Sequence, residues 1–234
     1  MGAIFRREMN AFFTSPIAYV YFAVFNVFAG IFFFSYCIAA GTTDMSGIFI
    51  NMFTILLFLI PVLTMKLLSE ERKQKTDQCL LTSPVSLTGI VLGKYFAALC
   101  VFAISLITFL VYALVISAYA PLNWTVIAGN IVGLFLLGAA FISIGLFISG
   151  LTENQILAVI GTFVVLMLIF FSYLFVDSIN NTLIKKIITA ISFQSRYEKF
   201  TTGVFSITGM LFFVSVAVIF NFLAIRTLER RRWA

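Results

Sequence analysis

"IFINMFTILLFLIPVLTMKLLSEERKQKTD", Ile48 to Asp77, opens with eighteen uncharged residues, Ile48 to Met65, and ends in a knot of charge. Six of the chain's twenty-four charged residues fall between positions 70 and 77. A helix crosses the hydrocarbon core with about 20 apolar residues, so the first part reads as a membrane span and the second as the place where the chain leaves it.

The rest of the chain follows the same rule. Of its 234 residues 62% are hydrophobic, 29 are Phe and 10% are charged, with mean hydropathy +1.12. A water-facing surface cannot be built from that composition. Apolar runs predict six spans, over residues 17–40, 48–68, 95–118, 126–149, 155–177 and 204–225. Backbone groups in lipid must be satisfied internally, and these runs lack the alternation of barrel strands. The expected fold is an all-α integral membrane protein, one domain over residues 1–234. Arg6 and Arg7 ahead of an apolar run imitate a signal peptide, but the run is too long and lacks a cleavage site, so it reads as a retained span.

Basic residues set the orientation. With six spans both termini share a side, which then carries eleven of the fifteen Lys and Arg. The other side holds Lys185, Lys186, Arg196 and Lys199, all in one loop at about 178–203. The termini are expected to be cytoplasmic. Before the first span, Phe5, Met9, Phe12 and Phe13 share one side of a helix with the charges mostly elsewhere, which predicts an interfacial helix turned into the membrane at Pro16.

Several chemistries are excluded. The chain has no His, so imidazole catalysis and the usual zinc sites are closed to it. Cys37, Cys79 and Cys100 lie in separate segments and read as free thiols. "GIVLGKY", Gly89 to Tyr95, has three residues between its glycines and Tyr after Lys94, so it is no phosphate loop. "EERKQK" is similar to the paired glutamates of CAAX-type proteases but has Lys75 in place of the Arg, and Ser149 in "ISG" has no histidine to activate it. No metal is expected, and the basic charge follows topology rather than a nucleic-acid surface.

Inside the spans no Asp, Glu, Lys or Arg is expected away from the ends, which argues against an ion-coupled carrier. Polar residues such as Asn26, Thr108, Asn130, Thr162 and Asn221 are expected mostly to bond between helices, and Gly129, Gly133, Gly138 and Gly145 to permit close packing. The charged knot predicts a helix over about 69–80, with Glu70 beside Lys73 and Glu71 beside Lys75, neutralising itself in water.

In order and spacing, "FRREMNAFFTSPIAYVY", "LLSEERKQKTDQCLLTSPVSLTGIVLGKYFAAL", "SGLTENQ", "FQSRYEKFTTGVFSITGMLFF" and "LERRRW" resemble the permease subunit of an ABC transporter of the ABC-2 type. The resemblance is closest to the bacterial gliding-motility and nitrous-oxide-reductase-maturation branch. It implies a six-helix exporter fold in a bacterial inner membrane, with the first segment a connecting helix and Glu70, Glu71, Arg72 and Lys73 on a coupling helix. That helix docks on a separate ATP-binding subunit, which holds ATP and Mg, while this chain holds no cofactor. Glu153 and Asn154 are implied as a second contact, and the loop at 178–203 as an outer cap. The family's usual Gly-Thr pair is replaced here by "KQKTD".

The resemblance further implies a second permease chain, as a homodimer, and is compatible with a complex either with or without an extracytoplasmic accessory protein. By analogy spans two and five line the path, which nominates Asn51, Thr54, Phe58, Phe163, Met167 and Phe170 and suits an amphipathic or lipid-like cargo. Two other classes compete. A mechanical transmitter or scaffold keeps the ATPase but responds to an outer partner rather than to cargo. A channel or carrier without an ATPase is indifferent to charge reversal at Glu71 and Arg72.

Overall fold

The computed structural model describes residues 1–75, 86–174, 192–203 and 206–232. Among these the chain is helical, and six helices are long and apolar enough to cross a membrane. α1 (Gly2–Thr14) ends where Ser15 caps α2 (Pro16–Phe33), with Pro16 at the first helical position, where its missing N–H costs nothing. The predicted turn into the membrane is therefore a capped helix start. A wider π-helical turn, Phe34–Ile38, extends α2.

α3 (Ser46–Thr64) contains Pro61, which withdraws a ladder bond one turn before a break at Met65. α4 (Lys66–Lys73) continues nearly in line. The helix expected over 69–80 thus begins earlier and stops at Lys73, and Lys75 closes it with φ 55°. Residues 76–80 lie outside the described residues.

α5 (Leu87–Ser117) starts eight residues before the predicted span, because the Ser86 hydroxyl accepts the Gly89 N–H at 3.2 Å and caps it there. The remaining elements are α6 (Trp124–Leu151), α7 (Gln155–Leu174), α8 (Phe193–Thr201) and α9 (Ile207–Arg232).

α6 is the axis of the bundle, packed by α3, α4, α5, α7, α8 and α9. Its glycines explain this. The Phe102 ring lies against Gly138 and the Thr64 side chain against Gly145, both nearer than a Cβ permits, while a Cβ on Gly133 would meet Phe200 at 2.7 Å. Close approach recovers the dispersion contacts that membrane helices rely on. At these glycines the packing expectation holds. The interhelical hydrogen bonds are fewer than expected. Thr108 donates to Asn26 at 2.8 Å and Asn51 to Tyr36 at 3.0 Å, but Asn130, Ser143, Thr162 and Asn221 bond to carbonyls of their own helices. A carbonyl three or four residues back is always within reach, and it wins.

At the end of the bundle opposite α1 and α4, the described part of the predicted outer loop folds inward. α8 buries Tyr197 and Phe200. The Tyr197 hydroxyl donates to the Phe49 carbonyl at 3.0 Å, and Ser46 donates to the Thr201 carbonyl at 3.1 Å. Phe53 meets Phe141, Phe170 and Tyr197 at centroid distances of 5.5 to 5.8 Å. This segment is a wedge in the bundle.

Candidate functional site

The part of the charged knot from Glu70 to Lys73 sits on α4 among groups from three other elements. α1 lies across the start of α5, where Ile4 is buried against Gly93, and this brings Glu8 over the same helix. Lys94 stands in the second turn of α5 with its side chain 1% exposed. Its Nζ lies 2.9 Å from Glu71 Oε1 and 3.0 Å from Glu8 Oε1. Arg7 pairs with Glu8 at 2.6 Å and also with Glu71. Burial works against the Arg7 charge, yet bonds from Glu8 and Glu71 outweigh it and hold its pKa above the ordinary value.

The expectation that the spans hold no charge away from their ends stands beside a buried charge near one end, Lys94, eight residues into α5. Placing the start of span three after Lys94 hid it. The Ser86 cap moves that start upstream and carries Lys94 inside the helix, where burial requires the two carboxylates it has.

The expected local pairing along 69–80 is replaced by a wider one. Glu70 reaches back to Lys66 at 3.9 Å, and Glu71 turns to Lys94 and Arg7. Lys73 is exposed at the helix end. Arg72 crosses to the α6–α7 turn, donating to the Gly150 carbonyl at 2.8 Å and meeting Glu153 at 3.2 Å. The structure therefore joins the two segments singled out from the sequence. Asn154, beside Glu153, accepts the Ile156 N–H at 2.9 Å and starts α7.

Ser149, rejected above as a nucleophile, has a structural task that the sequence did not signal. Its hydroxyl accepts the N–H groups of Leu68 and Ser69, each at 3.1 Å, and donates to the Met65 carbonyl at 3.0 Å. A helix start leaves its first four N–H groups without partners, so α4 is capped by a side chain from α6. Together with Arg72, this fixes α4 to the C-terminal end of α6.

The nominated path residues divide. The Phe58 and Phe163 rings meet at 4.9 Å, tilted by 39°, and Thr54 is exposed on the same helix, α3, as Phe58. Asn51 lies half-buried, bonded to Tyr36 and to the Gly47 carbonyl. Phe170 turns toward Phe53 at 5.8 Å, and Met167 packs partly against the core. Among the described residues no group of three or more His, Cys, Asp or Glu could hold a metal.

The arrangement is mechanical rather than catalytic in form: a short charged helix is tied by ion pairs and hydrogen bonds to two spans and to the first helix. No curated protein matches the chain. A family model described as "ABC-2 family transporter protein" matches residues 11–168, which covers the end of α1, α2 to α6 and most of α7. A permease subunit of this kind is a membrane transport component served by an ATP-binding partner and is not itself catalytic. On that match and six membrane-crossing helices, the chain belongs to the ABC-2 transporter family.

Proposed function

We propose that this permease is the membrane half of an ATP-driven exporter, working as a homodimer in a bacterial inner membrane with both termini in the cytoplasm. α4 and the turn at Glu153 and Asn154 form one docking platform for a separate ATP-binding subunit, which binds ATP and Mg. The observation that carries this reading is the Arg72 bridge from α4 to Gly150 and Glu153, reinforced by the Ser149 cap. It makes a single rigid surface of two segments far apart in sequence.

Closure of two ATP-binding subunits would press on two such platforms. Each push would reach α6 through Ser149 and Arg72, and α1 and α5 through Glu71. The strip Asn51, Thr54 and Phe58 on α3, with Phe163 on α7, would line the path between two chains for an amphipathic cargo. Alternation between inward and outward exposure is then a two-state equilibrium biased by nucleotide. The gliding-motility and nitrous-oxide-reductase-maturation branch is favoured by the order and spacing of the quoted segments along the chain.

A photoreactive amino acid placed at Lys73 tests the platform, with one at Lys199 as control. Cross-linking to an ATP-binding subunit from position 73 and not from 199 is expected. Cross-linking from 199, or from neither, contradicts it.

A further inference from the structure

A partly open cavity of about 170 Å³ lies between α1, the first turn of α2 and the α3–α4 junction. Its lining combines apolar Phe12, Ile17 and Leu63 with charged Lys66, Glu70 and Glu8. Glu8 is already neutralised by Lys94 at 3.0 Å and Arg7 at 2.6 Å. Lys66 and Glu70 are different. They stand 3.9 Å apart, at the limit of an ion pair, and are 33% and 35% exposed. An exposed pair this long contributes little to stability, so both charges can be recruited by a ligand at small cost.

The place matters as much as the charges. Ile17 opens the first span and Leu63 closes the apolar part of the second, so the cavity sits where the helices leave the hydrocarbon layer. We propose that it binds the headgroup of a zwitterionic phospholipid carrying a primary ammonium. The phosphate meets Lys66, the ammonium donates to Glu70, and the first part of an acyl chain follows Phe12, Ile17 and Leu63.

Charge complementarity selects this occupant. One cation and one anion side by side match a ligand that is itself a dipole, whereas an anionic lipid gains Lys66 and is repelled by Glu70. A quaternary ammonium has no N–H to give a carboxylate and loses the charge-assisted hydrogen bond. Occupancy would lie under α1 and beside α4, apart from the strip of Asn51, Thr54 and Phe58, so the lipid acts as a fixed ligand. The inference concerns binding and stands independently of the transport reading.

The test is native mass spectrometry of the full chain in mild detergent, supplied with equal amounts of phosphatidylethanolamine, phosphatidylcholine and phosphatidylglycerol. Retention of phosphatidylethanolamine about five-fold above the other two is expected, the equivalent of about 1 kcal/mol. Lys66→Gln and Glu70→Gln should each abolish that preference. A headgroup-photoreactive phosphatidylethanolamine on the unmodified chain should label peptides containing residues 8–17 or 63–70, a result that does not depend on a variant folding. Equal retention of the three lipids, preference unchanged in both variants, or labelling elsewhere overturns the proposal. So does competition by soluble glycerophosphoethanolamine at lipid concentrations, which would make a free solute the occupant.

Discussion

Lys94 of α5 and Glu71 of α4 are joined at 2.9 Å, and the ammonium of Lys94, 1% exposed, is shared with Glu8 of α1. Three elements separated in sequence meet on one buried charge. Removing that charge leaves the half-exposed Arg7 to balance two largely buried carboxylates, and breaking a buried cluster of this kind costs up to about 3–5 kcal/mol. Lys94→Met should therefore lower the thermal midpoint in detergent by several degrees. Because the members act as a unit, adding Glu71→Gln to Lys94→Met should cost less than the sum of the two single changes. Additive effects would show that the two residues are not coupled.

The glycines of α6 should rank by what a methyl group would strike. At Gly138 the obstacle is the Phe102 ring and at Gly145 the Thr64 side chain, both buried. Ala at either position should destabilise by about 1–3 kcal/mol through overpacking. Gly30→Ala meets the Tyr112 hydroxyl at an ordinary 3.5 Å, so it should be neutral or slightly stabilising, since Ala favours helix. Detergent melting curves of the three variants decide the order.

Ser149→Ala should loosen α4 without unfolding the bundle. The amides of Leu68 and Ser69 lose their acceptor, at a cost of about 0.5–2 kcal/mol for a lost cap. Hydrogen exchange should quicken on the peptide spanning residues 65–70 and stay unchanged on the one spanning 133–145. Unaltered exchange on both would remove the cap from the account.

Arg72 and Glu153 should respond unequally to truncation. Glu153 is 68% exposed, so Glu153→Gln should change stability by less than about 0.5 kcal/mol. Arg72, only 9% exposed, also holds the Gly150 carbonyl, and Arg72→Ala should cost clearly more. Equal effects in thermal melts would mean that the bridge rests on the ion pair alone.

The spans were legible because lipid demands long apolar runs and leaves their lengths open to counting, as in Ile48 to Met65. The charged knot was legible as unusual sequence and the Glu153 turn through the family resemblance, and the structure joins them through Arg72. Three things were hidden. The true start of α5 depends on one hydroxyl, that of Ser86, and misplacing it concealed Lys94. The cap on α4 comes from Ser149, eighty residues away in the chain, and no local pattern signals a partner at that distance. The inward fold of α8 depends on Phe200 finding room beside Gly133 and on Tyr197 reaching the Phe49 carbonyl, and hydropathy carries no information on fit.

The central claim is that α4 and the Glu153 turn form one docking surface for an ATP-binding subunit. The most direct measurement is a mild-detergent pull-down from native membrane, comparing the wild-type chain with a Lys73→Glu, Glu153→Arg double variant, whose altered positions are both exposed. The account predicts an ATP-binding subunit with the wild type and its loss from the variant at unchanged thermal stability. Recovery with both, or with neither, would contradict it.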